Sequence, residues 1–171
     1  ILVTTHRREN WGDPQRRIAQ AVRRLLDANE NRWAILPMHR NPVVRETLQS
    51  ALGDHPRCLL MEPPEYGEFA HWMKAARLIL TDSGGVQEEA PSFGVPVLVL
   101  RETTERPEGV HEGVASLVGT DEDGIVSRAE QLLSDPAAYD AMAKARSPYG
   151  DGRAAARIRY LLLSRMGIDS P

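Results

Sequence analysis

The 171-residue sequence has a single cysteine, Cys58 in "CLLM". One cysteine closes no intrachain disulfide and builds no thiolate framework for a metal, so the expectation is a small buried side chain in a reducing compartment. Aromatic residues supply only 5% of the chain, and no apolar run nears the roughly 20 residues needed to cross a bilayer. A basic-then-apolar leader is also missing, and the expected location is the cytoplasm. There is no surplus of positive charge either. The formal net charge of -3 argues against a general electrostatic grip on nucleic acid or on an anionic membrane, so any anion bound here is held locally. The sequence also lacks an opening Met. It begins on "ILVTT", a β-branched core strand with no lead-in, and the expectation is one piece of a larger polypeptide.

What is present fits one globular domain over residues 1–171, with 42% hydrophobic and 26% charged residues. Short apolar runs alternate with longer amphipathic ones. "ILVTT" (1–5) precedes a helix over 13–30, where Asp13 is placed to cap and Pro14 to fill the first helical position. The unit repeats as "WAILPM" (33–38) with 41–52, "CLLMEP" (58–63) with 65–76, and "RLILTD" (77–82) with 84–94. "VPVLVL" (95–100) and "ASLVG" (115–119) complete six strand candidates, and a last helix over 150–166 follows the Ser147-Pro148 break. Consecutive apolar positions do not suit a sheet with one wet face. The fold class predicted is α/β: a Rossmann-like, doubly wound parallel sheet with helices on both sides.

Ligands of such sheets bind beyond the carboxyl ends of the strands, so the informative loops follow each apolar run. In "TDSGGVQEEA" (81–90), Gly84 and Gly85 are expected to permit φ > 0 and close approach of an anion to the backbone. Ser83 adds a hydroxyl, and the first turn's unpaired N–H groups favour negative charge. A diphosphate suits this loop. Glu89, one turn beyond Gly85 on the same face, is placed to accept hydrogen bonds from two ribose hydroxyls. The competing reading is a glycine turn capping an ordinary helix with solvated glutamates, since the string matches neither GxGxxG nor GxxxxGK[ST].

The other loops carry alternatives too. "THRRE" is either an anion site or a solvated basic corner. In "PMHRNP", Asn41 reads as a cap and Pro42 as the first helical residue, leaving His39 and Arg40 for a ligand. Arg106 in "RETTERPEG" is positioned for a diphosphate or for a neighbouring glutamate, and Tyr66 or Phe69 for stacking on a flat base or for the core. His55, His71 and His111 lack metal-ligand spacing, and no metal is expected.

Taken in order and spacing, "THRREN", "PMHRNP", "LTDSGGVQEEAPSFGVPVLVLRETTERPEGV", "LVGTD" and "SPYGDG" resemble the C-terminal half of non-hydrolysing UDP-N-acetylglucosamine 2-epimerases, from about residue 1 to 160. The resemblance implies two Rossmann-like domains in the glycosyltransferase-B arrangement, of which this chain is the second, the N-terminal domain being absent. It implies that Ser83, Gly84 and Gly85 hold the diphosphate, Glu89 the ribose and Phe69 the uracil, with Arg106 and His6 on the phosphate and sugar side. His6 matches the catalytic-region histidine. The implied reaction interconverts UDP-GlcNAc and UDP-ManNAc, by elimination of UDP to a 2-acetamidoglucal and re-addition, without a cofactor. The main acidic groups are expected in the absent domain and the longer protein as a homodimer, serving cell-surface polysaccharide synthesis. Arg7 and His39 match part of a regulatory site for a second UDP-GlcNAc, although Arg40 stands where relatives carry Leu or Met. Two other functions are compatible with the loops: the donor half of a retaining glycosyltransferase, and a stand-alone UDP-sugar-binding module.

Overall fold

The structure, a computed structural model, describes residues 1–167. Six parallel strands form its sheet: β1 (Leu2–Thr4), β2 (Ala34–Pro37), β3 (Cys58–Met61), β4 (Ile79–Thr81), β5 (Val97–Val99) and β6 (Ala115–Leu117). Their order is β3-β2-β1-β4-β5-β6, with every neighbouring pair parallel. The doubly wound α/β fold read from the sequence is therefore the fold observed, and the strand order reverses between β1 and β4.

The consecutive apolar residues of each strand divide between two covered faces. Val3, Leu36, Leu80 and Leu98 meet α1 (Asp13–Asp27), α2 (Pro42–Leu52) and α6 (Glu122–Ser134). Leu2, Ile79, Val97 and Val99 meet Met73 of α3 (Tyr66–Ala75) and Val86 of α4 (Gly84–Glu89). Fully burying side chains of this kind contributes about 1.5–3 kcal/mol each, which is why such short strands hold together. α4 runs on as a 3-10 turn over Ala90–Phe93, and Gly94 leaves it at φ 67. No helix of the described residues is long and apolar enough to cross a membrane.

Several local readings change. Gly12, at φ 80, is the N-cap of α1, which puts Asp13 and Pro14 inside the first turn; the helix ends at Asp27, three residues before the expected end. Asn41 does cap α2, accepting from the Val43 N–H at 3.0 Å. No helix was expected for the short α5 (Pro107–His111), for α6 or for α7 (Pro136–Ala143). The cap signals were nevertheless present. Asp121 accepts from Gly124 N and Asp135 from Ala137 N, each at 2.9 Å, and Pro136 opens α7. The last helix, α8 (Ala154–Arg165), forms after the Ser147-Pro148 break. Cys58 is buried, which pushes its thiol up to about 11 and leaves it a poor thiolate nucleophile at neutral pH.

Gln15 is anomalous. It is fully buried on α1, and neither its Oε1 nor its Nε2 has a hydrogen-bond partner among the described residues. A buried polar group left unsatisfied costs about 1–3 kcal/mol, and Met has nearly the same length without the amide. Gln15→Met is therefore expected to stabilise the chain by about 1–3 kcal/mol, read as a higher urea midpoint at unchanged slope. A lower midpoint would show that an internal water satisfies the amide.

Candidate functional site

The loops after β1 and β4 diverge at the reversal point and are stitched together by buried polar groups. Thr4 and Thr81, partners in register, share a 2.5 Å bond between their hydroxyls, and Thr81 Oγ1 also accepts the Ser83 N–H at 3.0 Å. Next to them the Asp82 carboxylate is fully buried. It accepts from Thr5 Oγ1 at 3.1 Å, from the backbone N–H groups of His6 and Arg7 at 3.1 and 3.0 Å, and from Asn10 Nδ2 at 2.9 Å. These bonds fix the course of the β1 loop. His6 Nδ1 lies 3.2 Å from Asp82 Oδ1.

A cleft of about 360 Å³ opens above the junction, lined by Thr5, His6, His39, Tyr66, Phe69 and Ser83 among others. The His6 and His39 rings face each other across 5.9 Å at 23°. Asn41 N donates to His39 Nδ1 at 3.2 Å, so the cap of α2 also anchors that ring, while Arg40 is exposed. Phe69 is half-buried against the second core face, and Tyr66 is exposed at the mouth. The flat-ring platform expected from "EYGEF" thus lies on one wall, the basic β1 loop on another.

The start of α4 forms the third wall. Gly84 and Gly85 are both helical with ordinary negative φ, contrary to the expectation of φ > 0. Their smallness serves approach instead. A Cβ added to Gly84 would stand 3.6 Å from Arg106 Nη2 and 3.7 Å from Arg7 Nη2; one added to Gly85 would stand 3.8 Å from Glu89 Oε1 and 3.9 Å from Ser83 Oγ. Two guanidinium groups therefore converge on the turn whose N–H groups at Gly84, Gly85 and Val86 have no intrahelical acceptor. That combination of fixed cations and free donors suits a phosphate group.

Each cation already has a carboxylate partner. Arg106 pairs through Nε with Glu88, and Arg7 lies 3.8 Å from Glu105. Buried Arg101 grips Glu105 at 2.6 and 2.9 Å and Glu9 at 2.6 Å, which pulls the Glu105 carboxyl down to about 2. The Arg106 loop is tied to α4 as well: Thr104 Oγ1 donates to Gln87 Oε1 at 2.6 Å and accepts the Arg106 N–H at 3.0 Å. Of the two partners left open for Arg106, the glutamate is the one it holds here.

A family model described as UDP-N-acetylglucosamine 2-epimerase matches residues 1–163. The chain belongs to this epimerase family. The Bacillus subtilis UDP-N-acetylglucosamine 2-epimerase is 52% identical over 167 residues, covering 98% of this chain and 44% of its own length. Among solved structures, an S. aureus MnaA–UDP co-structure superposes with a TM-score of 0.93 at 46% identity, over 99% of this chain and 47% of its own. The Neisseria meningitidis UDP-GlcNAc 2-epimerase bound to UDP-GlcNAc gives 0.91 at 43%, over 95% and 44%. This chain thus spans less than half the length of the epimerases it matches. Its six-stranded parallel sheet is that of relatives of the glycosyltransferase-B type.

Two contacts at the site had no counterpart in the sequence reading. Asp82 organises the β1 loop, and Tyr66 donates its hydroxyl proton to Glu89 Oε2 at 2.8 Å. That bond, from a carboxylate acceptor, raises the Tyr66 phenol pKa and fixes the Glu89 side chain at the cleft mouth. A carboxylate directly after an apolar strand was the available signal for Asp82. Of the remaining histidines, His55 is buried 3.2 Å from Asp27, and His71 bonds the Gly67 carbonyl at 2.7 Å. Both contacts are local and structural.

Proposed function

We propose that residues 1–171 are a single UDP-binding Rossmann-like domain, the C-terminal half of a UDP-N-acetylglucosamine 2-epimerase whose N-terminal domain lies outside this chain. The observation that carries the reading is the convergence of Arg7 and Arg106 on the glycine start of α4, with Ser83 and Glu89 beside it, in a member of this family. Ser83, Gly84, Gly85 and Arg106 take the diphosphate, Glu89 the ribose, and Phe69 the uracil. A second UDP-GlcNAc, where regulation operates, meets Arg7 and His39. The longer protein works as a homodimer without a cofactor in the cytoplasm, feeding cell-surface polysaccharide synthesis.

In the reaction so assigned, a base in the other domain removes the proton from C2 of UDP-GlcNAc as the C1–O bond breaks and its electron pair stays on the UDP oxygen. His6 stabilises that departing oxygen. The 2-acetamidoglucal is then protonated on the opposite face, and UDP adds back to C1 to give UDP-ManNAc. The test of the class is direct. Incubated with UDP-GlcNAc alone, the longer protein should form the manno epimer; a requirement for an acceptor would mark a glycosyltransferase, and no conversion a binding module.

Glu89 gives a finer test on this chain alone. Its Oε1 is within 3.8 Å of a Cβ at Gly85 and its Oε2 is held by Tyr66, so the carboxylate sits one turn beyond the phosphate wall. Glu89→Gln should weaken UDP by about 1.5–3 kcal/mol, the worth of a hydrogen bond to a charged group, and leave pyrophosphate affinity unchanged. Calorimetric titration with both ligands decides it. Equal losses would put Glu89 with the phosphates.

A further inference from the structure

Asp82 has a task beyond holding a loop. Its Oδ2 is saturated, with Thr5 Oγ1, His6 N, Arg7 N and Asn10 Nδ2 all within 3.1 Å. Its Oδ1 is not. That oxygen takes only the second branch of the His6 N–H, at 3.1 Å, and faces the His6 ring nitrogen Nδ1 at 3.2 Å. The carboxylate is completely buried, and no arginine or lysine among the described residues pairs with it. Among the described residues the ionisable cation within reach is His6, whose ring lines the cleft.

We propose that Asp82 is a positioning residue for His6: it keeps the imidazole proton on Nδ1 and so presents Nε2 to the cleft. This rests on the reading of His6 as the group facing the departing UDP. A bare Nδ1 would set its lone pair against the Asp82 oxygen 3.2 Å away, whereas an N–H there meets the negative charge, so this proximity favours the proton on Nδ1. The same carboxylate also faces the ring, at 3.2 Å, in the form that carries a proton on both nitrogens. Nε2–H then passes its proton to the UDP oxygen as the C1–O electron pair moves onto it, and His6 returns to the neutral Nδ1–H form. On re-addition Nε2 takes the proton back. The arrangement parallels the buried aspartate that orients histidine in serine proteases, where the asparagine variant keeps the geometry and gives the wrong tautomer.

Nitrogen-15 NMR of the histidine-labelled 171-residue chain reads the tautomer without any need for turnover. In its neutral form, wild-type His6 should show a protonated Nδ1 and an unprotonated Nε2, the reverse of the form that dominates for histidine free in water. Asp82→Asn should move the proton to Nε2, since an amide can donate toward Nδ1. Thr5→Val removes one donor from the carboxylate and should keep the wild-type tautomer, which separates orientation of the ring from a loosened loop. In the longer epimerase, Asp82→Asn should lower kcat by about 10²–10⁴-fold with KM little changed. A wild-type His6 protonated on Nε2, or a tautomer indifferent to Asp82→Asn, overturns the inference; if that variant does not fold, the wild-type and Thr5→Val spectra decide. A tautomer that moves while kcat stays constant supports Asp82 as the orienting group and instead removes His6 from the chemistry.

Discussion

Arg106→Ala should weaken UDP binding by roughly 10- to 150-fold while leaving the fold nearly as stable. The two expectations have separate causes. On the ligand side, the guanidinium reaches to within 3.6 Å of where a Gly84 Cβ would stand, so a phosphate drawn to the start of α4 meets it directly. A charge-assisted hydrogen bond is worth about 1.5–3 kcal/mol, and each 1.4 kcal/mol is tenfold in affinity. On the protein side, Arg106 pairs with Glu88 and both side chains are about a third or more exposed, at 34% and 41%. Such a pair contributes about 0–1 kcal/mol, and its loss leaves Glu88 in contact with water. UDP titration and a thermal melt of the same sample should therefore disagree, with a large effect in the first and a small one in the second. Unchanged affinity with a lowered melting temperature would make Arg106 a partner of Glu88 and nothing more.

The sheet was legible because both of its faces are covered. Pairs such as Leu2-Val3 and Ile79-Leu80 send neighbouring side chains to opposite cores, and that requirement leaves a run of apolar letters. The loops were legible as a consequence, since they begin where those runs stop. The conformation at Gly84 and Gly85 was misread because glycine answers two different demands. Here no left-handed turn is needed; the backbone is helical, and room for close approach between two arginines is what a side chain would remove. Asp13 was misread for a similar reason: Gly12, with φ 80, makes the turn into the helix itself, so the aspartate needs no capping position. The Asp82 assembly was not legible, because its donors at Thr5, His6, Arg7 and Asn10 lie more than 70 residues away in sequence. No local pattern encodes that pairing. Register between β1 and β4 brings it about, Thr4 opposite Thr81, one step before the loops begin.

The purified 171-residue chain should bind UDP and leave the C2 proton of UDP-GlcNAc untouched. Proton abstraction at C2 calls for a positioned base with a pKa near the working pH. The described carboxylates at the site are committed elsewhere. Asp82 is buried and saturated with donors on one oxygen, Glu88 pairs with Arg106, and Glu89 accepts from Tyr66. Glu105, lowered to about 2 by Arg101, is too weak a base. Holding reacting groups in a near-attack geometry supplies about 7–11 kcal/mol of a barrier, and a cleft lined by this domain alone holds no opposing group in place. Binding asks for less. The arginines, the free N–H groups of α4 and the Phe69 wall are all present in this chain, so UDP should bind in the micromolar to millimolar range, about -4 to -8 kcal/mol. Its phosphates should perturb the amide resonances of Gly84, Gly85 and Val86 most. In deuterated water, exchange at C2 should run at the rate without protein, and adding the proposed N-terminal domain should raise it above that rate. Exchange catalysed by the chain alone would overturn this division of the site and make His6 or Glu88 a base in its own right.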